Sequence, residues 1–140
     1  MRKSLIDTDT LSYVINRRYP EVESTAAQYL RIFRNFSVSA VTISEIVEGL
    51  ESQANHFGTS EFLELAEGFE IIPIETEEAV IAGRILGALT RADTKIGEMD
   101  PFIAATAIQY ELPLVTNNTR HYQRIVDLGF PLELDNWRSL

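Results

Sequence analysis

The stretch Ser4-Leu5-Ile6-Asp7-Thr8-Asp9-Thr10-Leu11 sets the pattern that the rest of the chain repeats. Its apolar pair Leu5-Ile6 suits a short buried strand, and an acid follows directly. Apolar residues then recur at helical spacing, at Leu11, Val14 and Ile15. A strand that runs straight into a helix is the building unit of α/β proteins. The stretch therefore predicts an α/β fold with an acidic side chain at a strand–helix junction.

Strand-like and helix-like segments alternate along the whole chain. The pattern predicts strands at 5–6, 36–41, 71–74, 112–116 and 130–134. It predicts a loop at 55–59 and helices that follow Asp7 and then cover 22–33, 43–50, 62–66, 77–91, 101–110 and 120–128. Such alternation favours a parallel sheet with helices on both faces, which binds its ligands outside the carboxyl ends of the strands.

Length and composition limit the class of protein. A chain of 140 residues is expected to form a single domain, 1–140, with a proper core. The absence of cysteine excludes disulfides, thiolate metal sites and a thiol nucleophile. A net charge of −9 argues against a protein that coats nucleic acid, but not against an enzyme that holds one phosphate through a metal. Neither a signal peptide nor a membrane span is visible, so a soluble cytoplasmic protein is expected.

Three acids stand where strand-like runs become helix-like runs: Asp7, Glu45 and Asp100. If the strands are parallel neighbours, all three meet at one edge of the sheet. Two unit charges about 4 Å apart repel by roughly 4 kcal/mol at an effective dielectric constant near 20. The sequence therefore predicts a divalent metal site at this edge.

Each acid also has a purely structural interpretation. Asp7 suits the N-cap of the helix after it. Thr42 and Glu45 have the spacing of a capping box, in which the glutamate bonds back to the threonine amide. Asp100 precedes Pro101, as an N-cap before a proline at the first helical position does.

Other oxygen donors follow the strand predicted at 112–116. Thr116 stands at its end and Asn118 just past it, and both add possible ligands to the three acids. A set of hard oxygen donors without histidine or cysteine suits Mg²⁺ or Mn²⁺ better than Zn²⁺. The two histidines, His56 and His121, are expected at the surface.

Taken together, these segments resemble a PIN domain, specifically a VapC-type toxin nuclease of a toxin–antitoxin pair. The resemblance is carried by Leu5-Ile6-Asp7-Thr8, Thr42-Ile43-Ser44-Glu45 with Gly49, Ile96-Gly97 through Asp100 to Ala105, Leu114-Val115-Thr116-Asn117-Asn118, and Leu132-Glu133-Leu134-Asp135-Asn136-Trp137. It implies a three-layer α/β/α fold with a mostly parallel sheet of about five strands. It also implies a metal-dependent endoribonuclease that cuts structured RNA, commonly tRNA or ribosomal RNA.

The resemblance also implies a role for each site residue. Asp7, Glu45 and Asp100 match the metal-binding acids, with Mg²⁺ or Mn²⁺ as cofactor, and Thr116 supports them. Asn118 stands where many PIN domains carry a fourth aspartate, which lowers the charge of the site and puts a second metal in doubt. Asp9 is close enough in sequence to restore part of that charge.

Partners are implied in the same way. Family members usually form homodimers and are silenced by an antitoxin that places a basic segment, typically with an arginine, in the acidic cleft. An RNA substrate needs basic contacts, for which Arg17, Lys95 and Arg120 are the candidates.

Two other functions remain open at this stage. The run Asp7-Thr8-Asp9-Thr10 also matches the opening motif of haloacid-dehalogenase-like phosphatases, in which the first aspartate is a nucleophile and the second a general acid. Asn118 in place of an acid leaves room for a catalytically impaired PIN-fold binding module.

Overall fold

The computed structural model describes residues 1–138, and the last two residues of the predicted domain lie outside this range. Strands and helices follow one another much as the pattern predicts. The elements are β1 (Leu5–Ile6), α1 (Thr8–Ile15), α2 (Pro20–Phe33), β2 (Ser37–Ser39), α3 (Ala40–Glu51), α4 (His56–Ala66), β3 (Glu70–Ile72), α5 (Thr76–Arg91), α6 (Asp100–Gln109), β4 (Leu114–Val115), α7 (Thr119–Asp127) and β5 (Leu134–Asp135).

The five strands form one parallel sheet in the order β3-β2-β1-β4-β5. The predicted parallel sheet is thus confirmed, and the strand with Pro73 just after its end lies at an edge, as a proline requires. The central strand β1 pairs with β4 in the register Leu5–Leu114 and Ile6–Val115. The residues that follow these pairs, Asp7 and Thr116, consequently lie side by side at the carboxyl edge.

Helices cover both faces of the sheet, because successive strand residues point to opposite sides. Leu5 and Leu114 face a core built mainly from α5, α6 and α7. Ile6 and Val115 face a second core built mainly from α1, α2 and α4. The expected three-layer α/β/α arrangement is confirmed.

Helix α6 is buried along most of its length. Its sequence is apolar nearly all round, and small side chains let it pack closely against the sheet and α5. Its buried residues are Pro101, Ile103, Ala104, Ala105, Thr106 and Ala107. It is a core helix: within residues 1–138, no helix is both long enough and apolar enough to cross a bilayer.

The boundary between β2 and α3 differs from the prediction. The strand predicted at 36–41 is shorter and ends at Ser39, whose hydroxyl accepts a hydrogen bond from the Val41 amide at 3.1 Å and caps α3. Thr42 therefore lies inside the helix, and the predicted capping box of Thr42 and Glu45 is wrong. Glu45 lies more than a turn into α3 instead of at the junction.

Two further boundaries also differ. The loop predicted at 55–59 is the first turn of α4, because the Asn55 side chain caps the helix by accepting from the Gly58 amide at 2.9 Å. The last strand pairs at Leu134–Asp135, later than the predicted 130–134, because β4 pairs only with that part of the segment.

Candidate active site at the carboxyl edge of the sheet

Asp7 is both a helix cap and the most deeply buried acid of the predicted site. It is the N-cap of α1, and its Oδ1 accepts from the Thr8 amide at 2.9 Å. Its Oδ2 accepts from the hydroxyl of Thr116 at 2.8 Å, across the β1–β4 pair. The side chain is only 5% exposed. Capping therefore explains one oxygen of Asp7, and the second is held by the neighbouring strand.

The surroundings of Asp7 oppose its negative charge. Burial is the largest cause that raises its pKa, to about 7, and the charge of Asp9 is the next. Hydrogen bonds from Thr116 and Thr8 act against this shift, and Asp100 adds a smaller repulsion. The ionised carboxylate is thus short of positive charge, which a bound cation would supply.

Asp100 follows α5 and a loop instead of a strand, so its predicted place at a strand–helix junction is wrong. It does not cap its helix either. The N-cap of α6 is Met99, and Asp100 occupies the first helical position without a capping hydrogen bond, so the predicted N-cap is wrong. Its oxygens contact α7 instead. Oδ2 lies 2.7 Å from His121 Nε2, and Oδ1 accepts from the Tyr122 hydroxyl at 3.2 Å.

Tyr122 joins the two acids. Its hydroxyl also lies 3.3 Å from Asp7 Oδ1, so one oxygen atom is within hydrogen-bond reach of both carboxylates. The predicted convergence of Asp7 and Asp100 at one sheet edge is therefore confirmed.

Glu45 reaches the same edge from α3. The hydroxyl of Thr8 donates to Glu45 Oε1 at 2.6 Å and lies 3.0 Å from the hydroxyl of Thr42. Partial burial is the largest cause that raises the Glu45 pKa; the Thr8 hydrogen bond opposes it, and the charge of Asp100 adds to it. Glu45 thus shares an electrostatic environment with the two aspartates without touching them.

The other predicted site residues, Asp9, Thr116 and Asn118, differ in how they join the hydrogen-bond network around the acids. Asp9 Oδ2 accepts from the Asn117 amide at 3.1 Å, and burial raises its pKa. Thr116, which donates to Asp7, also accepts from the backbone amide of Asn118 at 2.9 Å. The Asn118 side chain is exposed and makes no hydrogen bond within residues 1–138. Asn118 thus joins the network through its backbone alone.

The three basic candidates lie outside this network. Arg17, Lys95 and Arg120 are exposed. Arg17 lies 3.9 Å from Glu23, and the Lys95 carbonyl accepts from Arg124 at 2.7 Å. None of the three contacts the acids in the part of the chain that the structure describes.

Sequence reasoning missed the adjacent pair His121 and Tyr122. His121 is half-buried against Asp100, so its expected surface position is wrong, whereas His56 is exposed as expected. A usable signal was present: Tyr122 and Ile125 form the buried face of α7, and a buried tyrosine hydroxyl needs a hydrogen-bond partner.

The donor set fits a hard divalent cation. Mg²⁺ usually keeps several waters and binds through one or two carboxylates together with substrate phosphates. Asp7 and Asp100 are two such carboxylates, and the raised pKa of Asp7 marks a site that lacks positive charge. Within residues 1–138, no three acidic or histidine side chains are grouped closely enough to bind one ion together. The site therefore suits an ion that is bound by this pair and whose coordination is completed by other oxygen ligands.

The family is decided by a match to known sequences. The family model described as the PIN domain matches residues 4–127. The chain belongs to the PIN-domain family. This PIN domain is 30% identical over 138 residues to ribonuclease VapC2 of Haemophilus influenzae, covering 98% of the chain and 99% of that protein. It is 28% identical over 129 residues to the tRNA(fMet)-specific endonuclease VapC of Salmonella typhimurium, covering 89% and 93%.

Solved structures agree on the fold. The PIN domain superimposes with a TM-score of 0.80 on a chain of the DNA-bound VapBC structure from Salmonella typhimurium, at 24% identity and covering 98% of this chain and 99% of that one. The VapBC-1 structure from nontypeable Haemophilus influenzae gives a TM-score of 0.80 at 22% identity, covering 97% and 98%. Nothing in these comparisons supports the phosphatase or the impaired binding module.

Proposed function

We propose that this PIN domain is an endoribonuclease toxin of the VapC type that hydrolyses phosphodiester bonds in structured RNA, either tRNA or ribosomal RNA. The observation that carries the proposal is the meeting of Asp7 and Asp100 on one hydroxyl at the carboxyl edge of the sheet. Neither acid is paired with a lysine or arginine in the described residues. The ribonuclease names of the related proteins support the same activity.

The reaction needs Mg²⁺ or Mn²⁺, which Asp7 and Asp100 would hold as protein ligands, while Glu45 would reach the ion through a water. Such an ion polarises a phosphate and lowers the pKa of a bound water. The hydroxyl of Thr116 keeps one Asp7 oxygen in place. Asp9 adds negative charge beside this pair.

Glu45 is the best placed proton acceptor. Its raised pKa makes it a stronger base than an ordinary surface glutamate, and the Thr8 hydroxyl holds it in one orientation. It takes a proton from the attacking water as the new oxygen–phosphorus bond forms. The bond from phosphorus to the 3′-oxygen then breaks, the leaving oxygen takes a proton from solvent, and the products carry a 3′-hydroxyl and a 5′-phosphate. The exposed Asn118 amide suits a contact to the RNA or to a water near the phosphate.

Three exposed basic side chains are the candidates for contacts to flanking phosphates. Arg17, Lys95 and Arg120 are exposed and could each bind the RNA backbone electrostatically. If they do, each alanine variant raises the RNA KM and reduces its salt dependence, while kcat changes little.

The proposed partner is a cognate antitoxin, in the cytoplasm where the RNA substrate is found. Several structurally similar proteins were solved in VapBC complexes, and Asp7 and Asp100, which have no lysine or arginine partner in residues 1–138, suit a basic side chain of such a partner. A homodimer is proposed as well, to be tested by sedimentation. Co-expression with a cognate antitoxin should relieve toxicity and yield a stable complex.

Sequencing of RNA 5′ ends in cells tests activity and substrate together. Cells that express the wild type should accumulate new 5′ ends at defined positions in tRNA or ribosomal RNA. The Asp7→Ala variant should not produce these ends. Glu70→Gln, which alters an acid at the opposite edge of the sheet, should produce the wild-type pattern. Identical RNA ends for the wild type and Asp7→Ala would refute the proposal.

A further inference from the structure

Within residues 1–138, the hydroxyl of Tyr122 is the only group that lies within hydrogen-bond distance of both carboxylates. It lies 3.3 Å from Asp7 Oδ1 and 3.2 Å from Asp100 Oδ1. Two acids that are remote in sequence and belong to different elements therefore share one hydrogen-bonding group. The separation of the two Oδ1 atoms cannot exceed the combined length of those two contacts.

The ring of Tyr122 cannot readily move away. It is 1% exposed and packs in the core between α7 and the sheet. The ring of His121 meets it edge-on, with centroids 5.9 Å apart at an interplanar angle of 88°. A buried tyrosine ring places its hydroxyl at a defined point, and both carboxylates lie within hydrogen-bond distance of that point.

Asp100 is held on its second oxygen as well. His121 Nε2 lies 2.7 Å from Asp100 Oδ2 and 3.2 Å from the backbone amide of Gly97. A side chain at Gly97 would come within 2.7 Å of the same oxygen, so the loop before α6 needs glycine here to let Asp100 approach. The adjacent α7 residues His121 and Tyr122 thus contact one oxygen of Asp100 each.

The phenol remains a donor beside these acids. Burial raises the Tyr122 pKa, and the charges of Asp7 and Asp100 raise it further, so the hydroxyl keeps its proton. With a single proton it donates to one carboxylate at a time. It therefore offsets part of the repulsion between the acids but cannot replace a cation.

We propose that Tyr122 is a positioning residue that sets the spacing and orientation of Asp7 and Asp100 for a divalent cation. The inference rests on the proposed metal-dependent function. A phenylalanine at this position would fill the same space without the hydroxyl, and the two carboxylates would then lose the hydrogen-bond partner that they share. Partners of this kind typically change metal affinity by about 10–100-fold.

Calorimetric titration of the metal-free protein with Mn²⁺ tests the inference without any RNA. Tyr122→Phe should bind Mn²⁺ about 10-fold more weakly than the wild type. Tyr29→Phe is the matched control, because Tyr29 is also fully buried and its hydroxyl bonds to the Ser4 backbone, remote from the acids. It should lose some stability but keep the wild-type Mn²⁺ affinity.

Two further measurements separate positioning from a general loss of structure. In RNA cleavage, saturating Mn²⁺ should restore most of the activity of Tyr122→Phe, whereas a folding defect would not respond to the metal. His121→Ala removes the second contact to Asp100, leaves the buried ring of Tyr122 in place, and should also weaken Mn²⁺ binding. Wild-type Mn²⁺ affinity in Tyr122→Phe would overturn the inference, whatever the affinity of His121→Ala. Absence of Mn²⁺ binding by the wild type would instead overturn the metal-dependent function, and the inference with it.

Discussion

The amino and carboxyl edges of the same sheet hold their acids in opposite ways. At the amino edge, Glu70 Oε1 lies 3.0 Å from Lys3 Nζ, and Glu133 pairs with Arg2. The hydrogen bond from Ser37 and the contact with Lys3 lower the pKa of Glu70. At the carboxyl edge, burial and neighbouring acids raise the pKa of Asp7. An acid whose charge is balanced by a neighbouring lysine or arginine has a structural role. An acid whose charge is not balanced in this way is available to bind a ligand.

The largest expected difference between the two edges is in activity. Asp7→Asn keeps the size of the side chain but removes a charged ligand, and should reduce RNA cleavage by at least about 100-fold, more than the loss of an outer hydrogen-bond partner usually costs. Glu70→Gln makes the same chemical change at the amino edge and should retain cleavage within about twofold of the wild type. Initial rates on a purified RNA substrate measure both. Equal losses in the two variants would remove the distinction between the edges.

The next largest effect is the pH dependence of stability in the metal-free protein. The Asp7 pKa is raised from 3.8 to about 7, so its contribution is fully favourable below about pH 4 and is lost as the pH rises through 7. Asp7→Asn should therefore be more stable than the wild type at pH 8 in the presence of EDTA, by on the order of 2–4 kcal/mol. Urea unfolding from pH 4 to pH 8 measures the difference, which should shrink towards low pH. A constant difference across this range would contradict the assignment.

A smaller effect is expected within the carboxyl edge itself. Thr8→Val removes the hydroxyl that donates to Glu45 but keeps the shape of the side chain and the backbone contact to Asp7. Cleavage should fall by roughly 10-fold because Glu45 loses its orientation. Thr8→Ser keeps a hydroxyl and should stay near the wild-type rate. Equal rates for Val and Ser would show that Glu45 does not depend on Thr8.

The smallest effect belongs to the amino edge. Lys3→Ala breaks an ion pair whose two side chains are 47% and 44% exposed, and such pairs contribute about 0–1 kcal/mol. The free energy of unfolding should fall by no more than about 0.5 kcal/mol, with no change in RNA cleavage. Urea unfolding at low and high salt provides the measurement. A large loss of stability would mean that the amino edge is more than an ordinary exposed surface.

Much of this arrangement was predictable from local pattern. Apolar runs and helical periodicity predicted the order of the strands and helices along the chain and placed Asp7 and Thr116 at one edge, because parallel strands bring their ends together whatever the loops do. Asp100 follows α5 and a loop instead of a strand, so its approach to Asp7 depends on how α6 packs. Boundaries were less predictable where two signals compete. Ser39 and Thr42 are both good helix caps, and only the pairing of β2 with its neighbours decides in favour of Ser39.

The polar contacts of α7 could not be predicted from the sequence, for a different reason. Tyr122 contacts an acid 115 residues earlier in the chain, and His121 contacts one 21 residues earlier. Helical spacing indicates which side of α7 is buried, but not which polar group a buried hydroxyl meets. That depends on how α7 packs against β1 and α6, which no local sequence feature specifies.

The central position of β1 has a consequence for protein synthesis. Asp7 leaves the ribosome early, but β4, Thr116 and Tyr122 emerge only after most of the chain has been translated. A nascent polypeptide therefore carries one of the two proposed metal-binding acids without the groups that contact it. Under the proposed function, the newly made toxin becomes able to cut RNA only when its translation is nearly complete, which leaves an antitoxin time to reach it.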